Sequence, residues 1–586
     1  MVDVLFINTL KEVAVNHEVN GTMLLATKLL QAGFSTDIFR FGEIDTYHKD
    51  YNAFIPAATE RILARNPKVV SFYTLWPHYH TMLRLSRELK ARRSDVIIVL
   101  GGPQASSTAA PTMDVAPYVD YICTGEGENT IVPFIQTILN ENGENLSSIP
   151  GLYYRKDGKV IHNNIDTPLC DLDTLPYWDD RLCAVHFEKP DPEWGSDEYY
   201  MPIDAGRGCP YNCTFCCTSH FWRRTYRLKS PERIVADIHH FHDKYGINSF
   251  WFSHDAFTTN RQLVARVCDR ILEEGLKIKW RCTARIDCIS EELILKMKEA
   301  GMVEIELGIE TGSNRMQKLI KKNLDLEKSR SMIKFLLKNG VRVGLFFMYG
   351  LPEETEEDLN ETLELLFSLL DMGVQHVSMS YCKFNPATEI TERYFDDLVL
   401  DPSMKILIRG VSFGYEAEFD MIKNNKALFP FFYHLNTTVR NDYQYVHFFT
   451  RLYQQFPRTA RYVRKLYNGD NLKFYRDFYN NNLQYFERDM LYTADSIKDH
   501  AVEMFSNCVK DLNVSYLPQI LSLLRFENNA IQVRQSPTDT TIQEVYDFNY
   551  IDYKMKLPIE MYCAGKTEIL FQKKDGKISM KVLQIL

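Results

Sequence analysis

No stretch of this chain approaches the roughly 20 consecutive apolar residues that a membrane-crossing helix needs. The opening MVDVLFINTLKEV also lacks the basic-then-apolar order of an export signal. Both absences lead to the expectation of a cytoplasmic protein with no membrane partner. No long Lys/Arg block occurs and the formal net charge is −9 at pH 7, which argues against a general nucleic-acid binder and leaves room only for a local basic groove. A disulfide framework is missing too, because thirteen cysteines are scattered over 586 residues. Low-complexity and disordered composition are absent: 45% hydrophobic and 25% charged residues are ordinary for a folded protein. A chain this long exceeds one core and is expected to form three or four units of about 100–200 residues each.

What the chain does have is one dense group of cysteines. In MPIDAGRGCPYNCTFCCTSHFWRRTYRL, residues 201–228, Cys209, Cys213 and Cys216 stand in a Cys-x3-Cys-x2-Cys loop. Three thiolates so spaced suit a cubane iron-sulfur cluster and leave the fourth iron without a protein ligand. That iron is open to chemistry, as a catalytic zinc is through its free position. The alternatives are three cysteines buried for packing or a zinc knuckle. For zinc, His220 would have to supply the missing ligand, since Cys217 adjoins Cys216 and points elsewhere.

Short apolar runs alternate with helical stretches on both sides of the loop. In residues 1–141 the runs VDVLFI, STDIFRF, KVVSFYT, VIIVLGG and YVDYICTGEG read as five strands of an α/β, doubly wound parallel sheet. Its ligand site belongs at the carboxyl ends of the strands, at residues 8–20, 74–78, 101–106 and 124–128. Gly101, Gly102, Gly125 and Gly127 there would let backbone approach a bulky ligand closely, or simply make tight turns. Residues 142–200 read as a connector with a hairpin, GLYYRKDGKVIHN, turning at Asp157-Gly158, and with Cys170 and Cys183 as structural residues. Residues 201–395 resume the alternation in six beats, IDAGRG, SFWF, IKWRC, VEIELGIE, VRVGLFFMYG and VQHVSMS. Six βα units predict a partial barrel with its chemistry at the carboxyl ends of the strands. The cysteine loop follows the first of these strands, so motif and topology agree.

The cysteine pattern, with Phe215 just before its third cysteine, resembles the signature of the radical S-adenosylmethionine (SAM) superfamily. LGGPQAS followed by TGEGE resembles the cobalamin-binding domain that precedes the radical SAM domain in one large subgroup, the class B-type methylases. The resemblance covers roughly the first two thirds of the chain. It implies a Rossmann-like cobalamin-binding domain over residues 1–141, a partial (βα)6 TIM-like radical SAM barrel over 201–395, and a 4Fe-4S cluster on Cys209, Cys213 and Cys216. The implied reaction is reductive cleavage of SAM to a 5′-deoxyadenosyl radical and hydrogen abstraction, followed by methyl transfer from methylcobalamin to an unactivated carbon. The substrate would be a peptide or small natural product, and a flavodoxin or ferredoxin would donate the electron. Rearrangement, cyclisation or oxidation without methyl donation is the alternative.

The same resemblance assigns residues. The Asp-x-His-x-x-Gly motif that ligates cobalt in methionine-synthase-like domains is absent; Asn8 and Thr9 occupy that turn and His17 lacks the neighbouring pattern. Thr74, Leu75 and Trp76 are then expected beneath the corrin, with Leu75 or Trp76 excluding a water ligand from cobalt. The plainer reading has Trp76 packing between domains and His78 as a surface residue at a helix start. Gly101, Gly102, Ser106, Gly125, Glu126 and Gly127 complete the expected cobalamin site. For SAM the expected residues are Phe215, Asp255, Arg281, Arg285, Glu310 and Gly350. Ser253-His254-Asp255 resembles the family's Asp-Asp-x-Phe-Thr segment near the SAM amine, with His254 replacing the first Asp. Arg281 and Arg285 could clasp the SAM carboxylate bidentately, although Arg281 could equally anchor a loop. Glu310, in GIETGS, reads as a ribose or amine partner, and YGLPE, residues 349–353, resembles the family's adenine-packing region. Glu306 could form an internal salt bridge, and the acidic run from Glu353 to Asp358 complements the amino end of a helix.

Residues 396–586 match no motif and read as a mainly helical C-terminal domain. Aromatics at three- and four-residue spacing, interleaved with Arg and Lys, fit helices packing an aromatic face, and less often a cover over substrate. A terminal hairpin turns at Asp575-Gly576, and Cys508 and Cys563 stand alone, so no auxiliary cluster is expected.

Overall fold

The computed structural model describes residues 2–8, 20–41, 44, 50–141, 143–182, 200–400, 413–487, 494–510, 515–536, 538–548, 553–554, 565–574 and 577–585. Thr9, His17, Cys183, Cys563 and the Asp575-Gly576 turn lie outside these residues. Two compact units are present: Met1–Gly308 with Gln317–Val343 and Cys382–Asn436, and Ile309–Met316 with Gly344–Tyr381 and Thr437–Leu586.

The first unit opens with strands β1 (Val2–Ile7), β2 (Thr36–Phe39), β3 (Pro67–Tyr73), β4 (Ile97–Gly101) and β5 (Tyr121–Cys123). Between them run helices α1 (Asn20–Gln31), α2 (Tyr51–Ala64), α3 (Tyr79–Arg92), α4 (Pro103–Ser107) and α5 (Ala109–Val115), and α6 (Ile131–Asn140) follows β5. The strands join in parallel in the order β2-β1-β3-β4-β5. Each is a near-continuous apolar run because both faces of a parallel sheet are covered; Val4, Leu5, Phe6 and Ile7 are all buried. The order reverses beside β1, which opens a crevice at the carboxyl ends.

The sheet is wider than the five expected strands. The hairpin β6 (Leu152–Lys156) and β7 (Lys159–His162), read as part of a connector, pairs antiparallel with β5 to make seven strands. An unpaired β5 would present a bare edge to solvent, and the hairpin covers it. Its turn is as expected, with Asp157 at φ 51° and Gly158 at φ 74°. His78, read as a surface position, is buried.

The second sheet uses all six predicted beats: β8 (Met201–Asp204), then, after the short antiparallel ribbon of β9 (Gly206–Arg207) and β10 (Arg227–Leu228), β11 (Ser249–Ser253), β12 (Lys279–Ala284), β13 (Met302–Glu310), β14 (Arg342–Tyr349) and β15 (His376–Tyr381). Their order is β15-β14-β13-β12-β11-β8, and the β8–β11, β11–β12, β12–β13 and β14–β15 pairs are parallel. After the four-residue α7 (Thr218–Phe221), the intervening helices are α8 (Pro231–Tyr245), α9 (Arg261–Glu273), α10 (Glu291–Glu299), α11 (Asn314–Leu319), α12 (Leu326–Lys338) and α13 (Glu356–Met372). Local sequence sets their ends. Ser230 caps the Arg233 amide at the start of α8, Pro231 takes the first turn, and Gly246 at φ 70° stops the helix. Thr355 and Asp358 form a capping box on α13, the role expected of that acidic run.

In the second unit the C-terminal aromatics are core. Phe367 stacks on Tyr453 at 4.2 Å, and Phe449 meets Phe474 edge-on at 4.7 Å. The terminal hairpin, β17 (Thr567–Lys574) with β18 (Lys577–Ile585), is present, and β16 (Thr540–Tyr546) adds a third antiparallel strand.

Candidate active site

The cysteine loop leaves the end of the β9 strand and is held by distant segments. Thr214 donates its amide to the Ile320 carbonyl at 3.0 Å and accepts the Ile390 amide at 3.0 Å. Lys321 pairs with Glu389 at 2.6 Å beside these bonds. Cys209, Cys213 and Cys216 are half-buried. Burial pushes the Cys209 thiol up to about 11, and Cys216, Asp255 and Cys213 nearby add to the effect. Cys216 is raised by burial as well. Three cysteine thiols on one loop are the donor chemistry that a 4Fe-4S cluster takes.

Beside the loop is a cavity of about 590 Å³, inside the first unit and within the range of small-molecule sites. Asn20, Tyr73, Trp76, Gly101 and Gly127 contribute from the carboxyl ends of the first sheet. Arg207, Trp251, Ser253, Asp255 and Thr283 contribute from those of the second, with Cys217 and Trp222 from the cysteine loop and the helix after it. Asp255 accepts a hydrogen bond from Thr218 at 3.4 Å.

A buried ion network crosses this cavity wall. Arg207 meets Glu128 at 2.6 Å, Asp204 at 3.1 Å and Glu126 at 3.7 Å, while Arg227 also pairs with Glu126. Burial raises the Glu126 carboxyl, but the Arg227 bond and the Cys170 amide outweigh it and hold the group below its usual range. Glu126, Glu128 and Cys170 converge within 4.8 Å as a cation-like site would; the two guanidinium groups supply the positive charge.

Family comparison matches residues 203–366 to the radical SAM superfamily and residues 9–135 to the B12 binding domain. The chain is a radical SAM protein with a B12 binding domain. Its cofactors are a 4Fe-4S cluster, SAM and cobalamin. This radical SAM protein is 28% identical over 331 residues to an uncharacterized methyltransferase of Pyrococcus horikoshii, covering 55% of this chain and 67% of that one. It is 25% identical over 371 residues to an anaerobic magnesium-protoporphyrin IX monomethyl ester cyclase of Rubrivivax gelatinosus, covering 60% and 62%. The aligned part thus spans about two thirds of each relative's length. In fold it is similar to the cobalamin-dependent S-adenosylmethionine radical enzyme OxsB with aqua-cobalamin and SAM bound, at TM-score 0.57 and 14% identity over 91% of this chain and 81% of that one.

The expected site residues of the radical SAM protein divide into three groups. Trp76, Gly101, Gly102, Gly125, Glu126, Gly127 and Asp255 line the cavity. Thr74, Leu75 and Ser106 do not. The Thr74 hydroxyl is spent on the Gly101 carbonyl at 2.7 Å and the Ala105 amide at 2.9 Å, and the Ser106 hydroxyl on the Gly125 amide at 3.2 Å. The glycines are needed for packing as much as for ligand access. A Cβ on Gly102, at φ +93°, would sit 2.9 Å from the Thr74 carbonyl oxygen, and one on Gly127 would sit 3.1 Å from Leu25.

Both arginines are engaged by other side chains. Arg281 is 2% exposed, with its guanidinium 4.8 Å from the Tyr200 ring and 5.6 Å from Trp251, so it packs in the barrel interior. The Arg285 fork already holds Asp287, through Nε at 3.0 Å and Nη2 at 2.9 Å. Glu306 accepts the Thr283 hydroxyl at 3.2 Å. Phe215 is in the loop, whereas Glu310, at φ +72°, and Gly350, also at φ +72° with the Tyr381 ring where its Cβ would be, belong to the second unit. Tyr73, in the loop expected under the corrin, lines the cavity too; Arg207, Cys217, Trp251 and Thr283 were not foreseen, and the Asp-x-x-Arg pair in IDAGRG was the one sequence signal for any of them.

Proposed function

We propose that this cobalamin-dependent radical SAM enzyme transfers a methyl group to an unactivated carbon of a small molecule or peptide. The observation that supports this most is the cavity, which draws residues from the carboxyl ends of both sheets. When bound, the cluster supplies the electron that cleaves SAM to a 5′-deoxyadenosyl radical, and cobalamin supplies the methyl group. On this reading Cys209, Cys213 and Cys216 hold the cluster and Asp255 accepts from the SAM amine. Gly101, Gly127 and Trp76 would hold the corrin, with Trp76 excluding water, and Trp251 and Thr283 would line the same cavity. The buried Arg207 network fixes the spacing of the two walls, and near-attack geometry is worth several kcal/mol to such a reaction.

A second reading, radical cyclisation or oxidation without methyl donation, is favoured by the likeness to the Rubrivivax cyclase. The test is anaerobic turnover with product analysis. Cys213→Ala should abolish 5′-deoxyadenosine while cobalamin still binds; SAM cleavage retained by that variant would refute the cluster assignment. Methylation forms S-adenosylhomocysteine and 5′-deoxyadenosine in near-equal amounts, and the absence of S-adenosylhomocysteine would leave the second reading.

A further inference from the structure

We propose that Arg285 is a positioning residue that tunes the reduction potential of the cluster through the Cys213 sulfur, an inference that rests on the cysteine assignment above. Nη1 of Arg285 points at Cys213 Sγ from 3.6 Å. The rest of the guanidinium is immobilised. Asp287 holds it in a bidentate grip, Nη2 also donates to the Lys322 carbonyl at 3.0 Å, and the plane lies 3.8 Å from the centre of the Tyr211 ring. Tyr211 is fixed in turn, its hydroxyl 2.8 Å from Cys288 Sγ. The loop after β12 thus presents a shell around one ligand: Arg285 to the sulfur, Asp287 to the arginine, Cys288 to the tyrosine beneath it. At 6% exposure Arg285 is shielded from water, so its charge is little screened.

Nothing in this arrangement leaves the fork free for a substrate carboxylate. It faces a sulfur that carries negative charge when it binds iron, and that charge rises when the cluster takes up an electron. Reduction adds one electron and breaks no bond; a cation and an N–H donor at the sulfur favour the more negative state. Hydrogen bonds to sulfur and local charge are among the quantities that set cluster potentials, and partners of metal ligands orient and tune them.

The test is an anaerobic redox titration of the reconstituted full chain with dithionite and mediators, read by the electron paramagnetic resonance of the reduced cluster, with iron and sulfide analysis alongside. Arg285→Gln, which removes the charge, should keep its iron and shift the midpoint to more negative potential. A tenfold change in the one-electron equilibrium corresponds to 59 mV. Arg285→Lys, which keeps the charge but loses the fork, should fall between. Unchanged midpoints in both variants, a positive shift, or loss of the cluster from both would overturn the proposal, the last because Arg285 would then only hold the loop together. A wild-type chain that fails to assemble a cluster would instead refute the cysteine assignment.

Discussion

Replacing Arg207 with methionine removes one cation from three buried carboxylates. Glu128 is 2.6 Å away and Asp204 3.1 Å, and both side chains are nearly closed to water. Glu126 keeps Arg227, so the damage concentrates on the other two. Breaking a buried ion pair from one side costs about 3–5 kcal/mol, since the remaining charge loses its partner without regaining water. Glu126 also sets a pH dependence in the native chain: its carboxyl is held low, so its contribution is present at neutral pH and lost as pH falls. Urea unfolding followed by tryptophan fluorescence suits the measurement, because the Trp222 ring lies 5.6 Å from the Arg207 guanidinium and Trp76 and Trp251 line the same cavity. Arg207→Lys should recover part of the loss, a point charge being a poor substitute for a fork between several acids. A loss below about 1 kcal/mol at neutral pH would refute the reasoning.

Two further outcomes follow from particular contacts. Gly102→Ala forces a side chain into φ +93° and against the Thr74 carbonyl; it should cost about 1–3 kcal/mol from backbone alone and weaken hydroxocobalamin binding in equilibrium dialysis. Gly101→Ala, whose Cβ meets nothing nearer than 3.8 Å, should leave thermal unfolding unchanged. Glu354 is buried, which pushes its carboxyl up to about 8 despite the Gly350 and Leu351 amides donating to it. The native state therefore holds a proton that the unfolded chain releases near pH 4.5, and stability declines as pH rises between the two values, by up to about 1.4 kcal/mol per pH unit. Glu354→Gln should flatten that dependence; denaturant midpoints that fall equally in both proteins between pH 5.5 and 8 would dismiss it.

Strand positions were legible because parallel strands are apolar on both faces and short, so VDVLFI and its counterparts stand out. The cysteine loop was legible because its spacing serves metal chemistry and little else. The hairpin's place in the first sheet was not, since which edge an antiparallel pair joins depends on a neighbour more than 25 residues away, as in Tyr121 with Tyr154. The arginines show the other limit. Arg281, expected at the end of a barrel strand, lies inside it and Arg285 just beyond it, and direction is decided by partners the linear pattern cannot rank, Tyr200 and Trp251 for one, Asp287 and Cys213 for the other. Thr74 is the same case in miniature: it stands at the right turn and spends its hydroxyl on the neighbouring backbone.

The bonds that set Thr214 carry a consequence for how the protein is made. Its two backbone partners are Ile320 and Ile390, so the thiols leave the ribosome well before the frame that spaces them. At about 5–20 residues per second that gap lasts roughly 9–35 s. During it the sulfurs are exposed, oxidisable and undirected, and iron delivered then would meet a flexible peptide. Maturation is therefore ordered: the polypeptide must be synthesised past residue 390 before its inorganic core can be installed correctly.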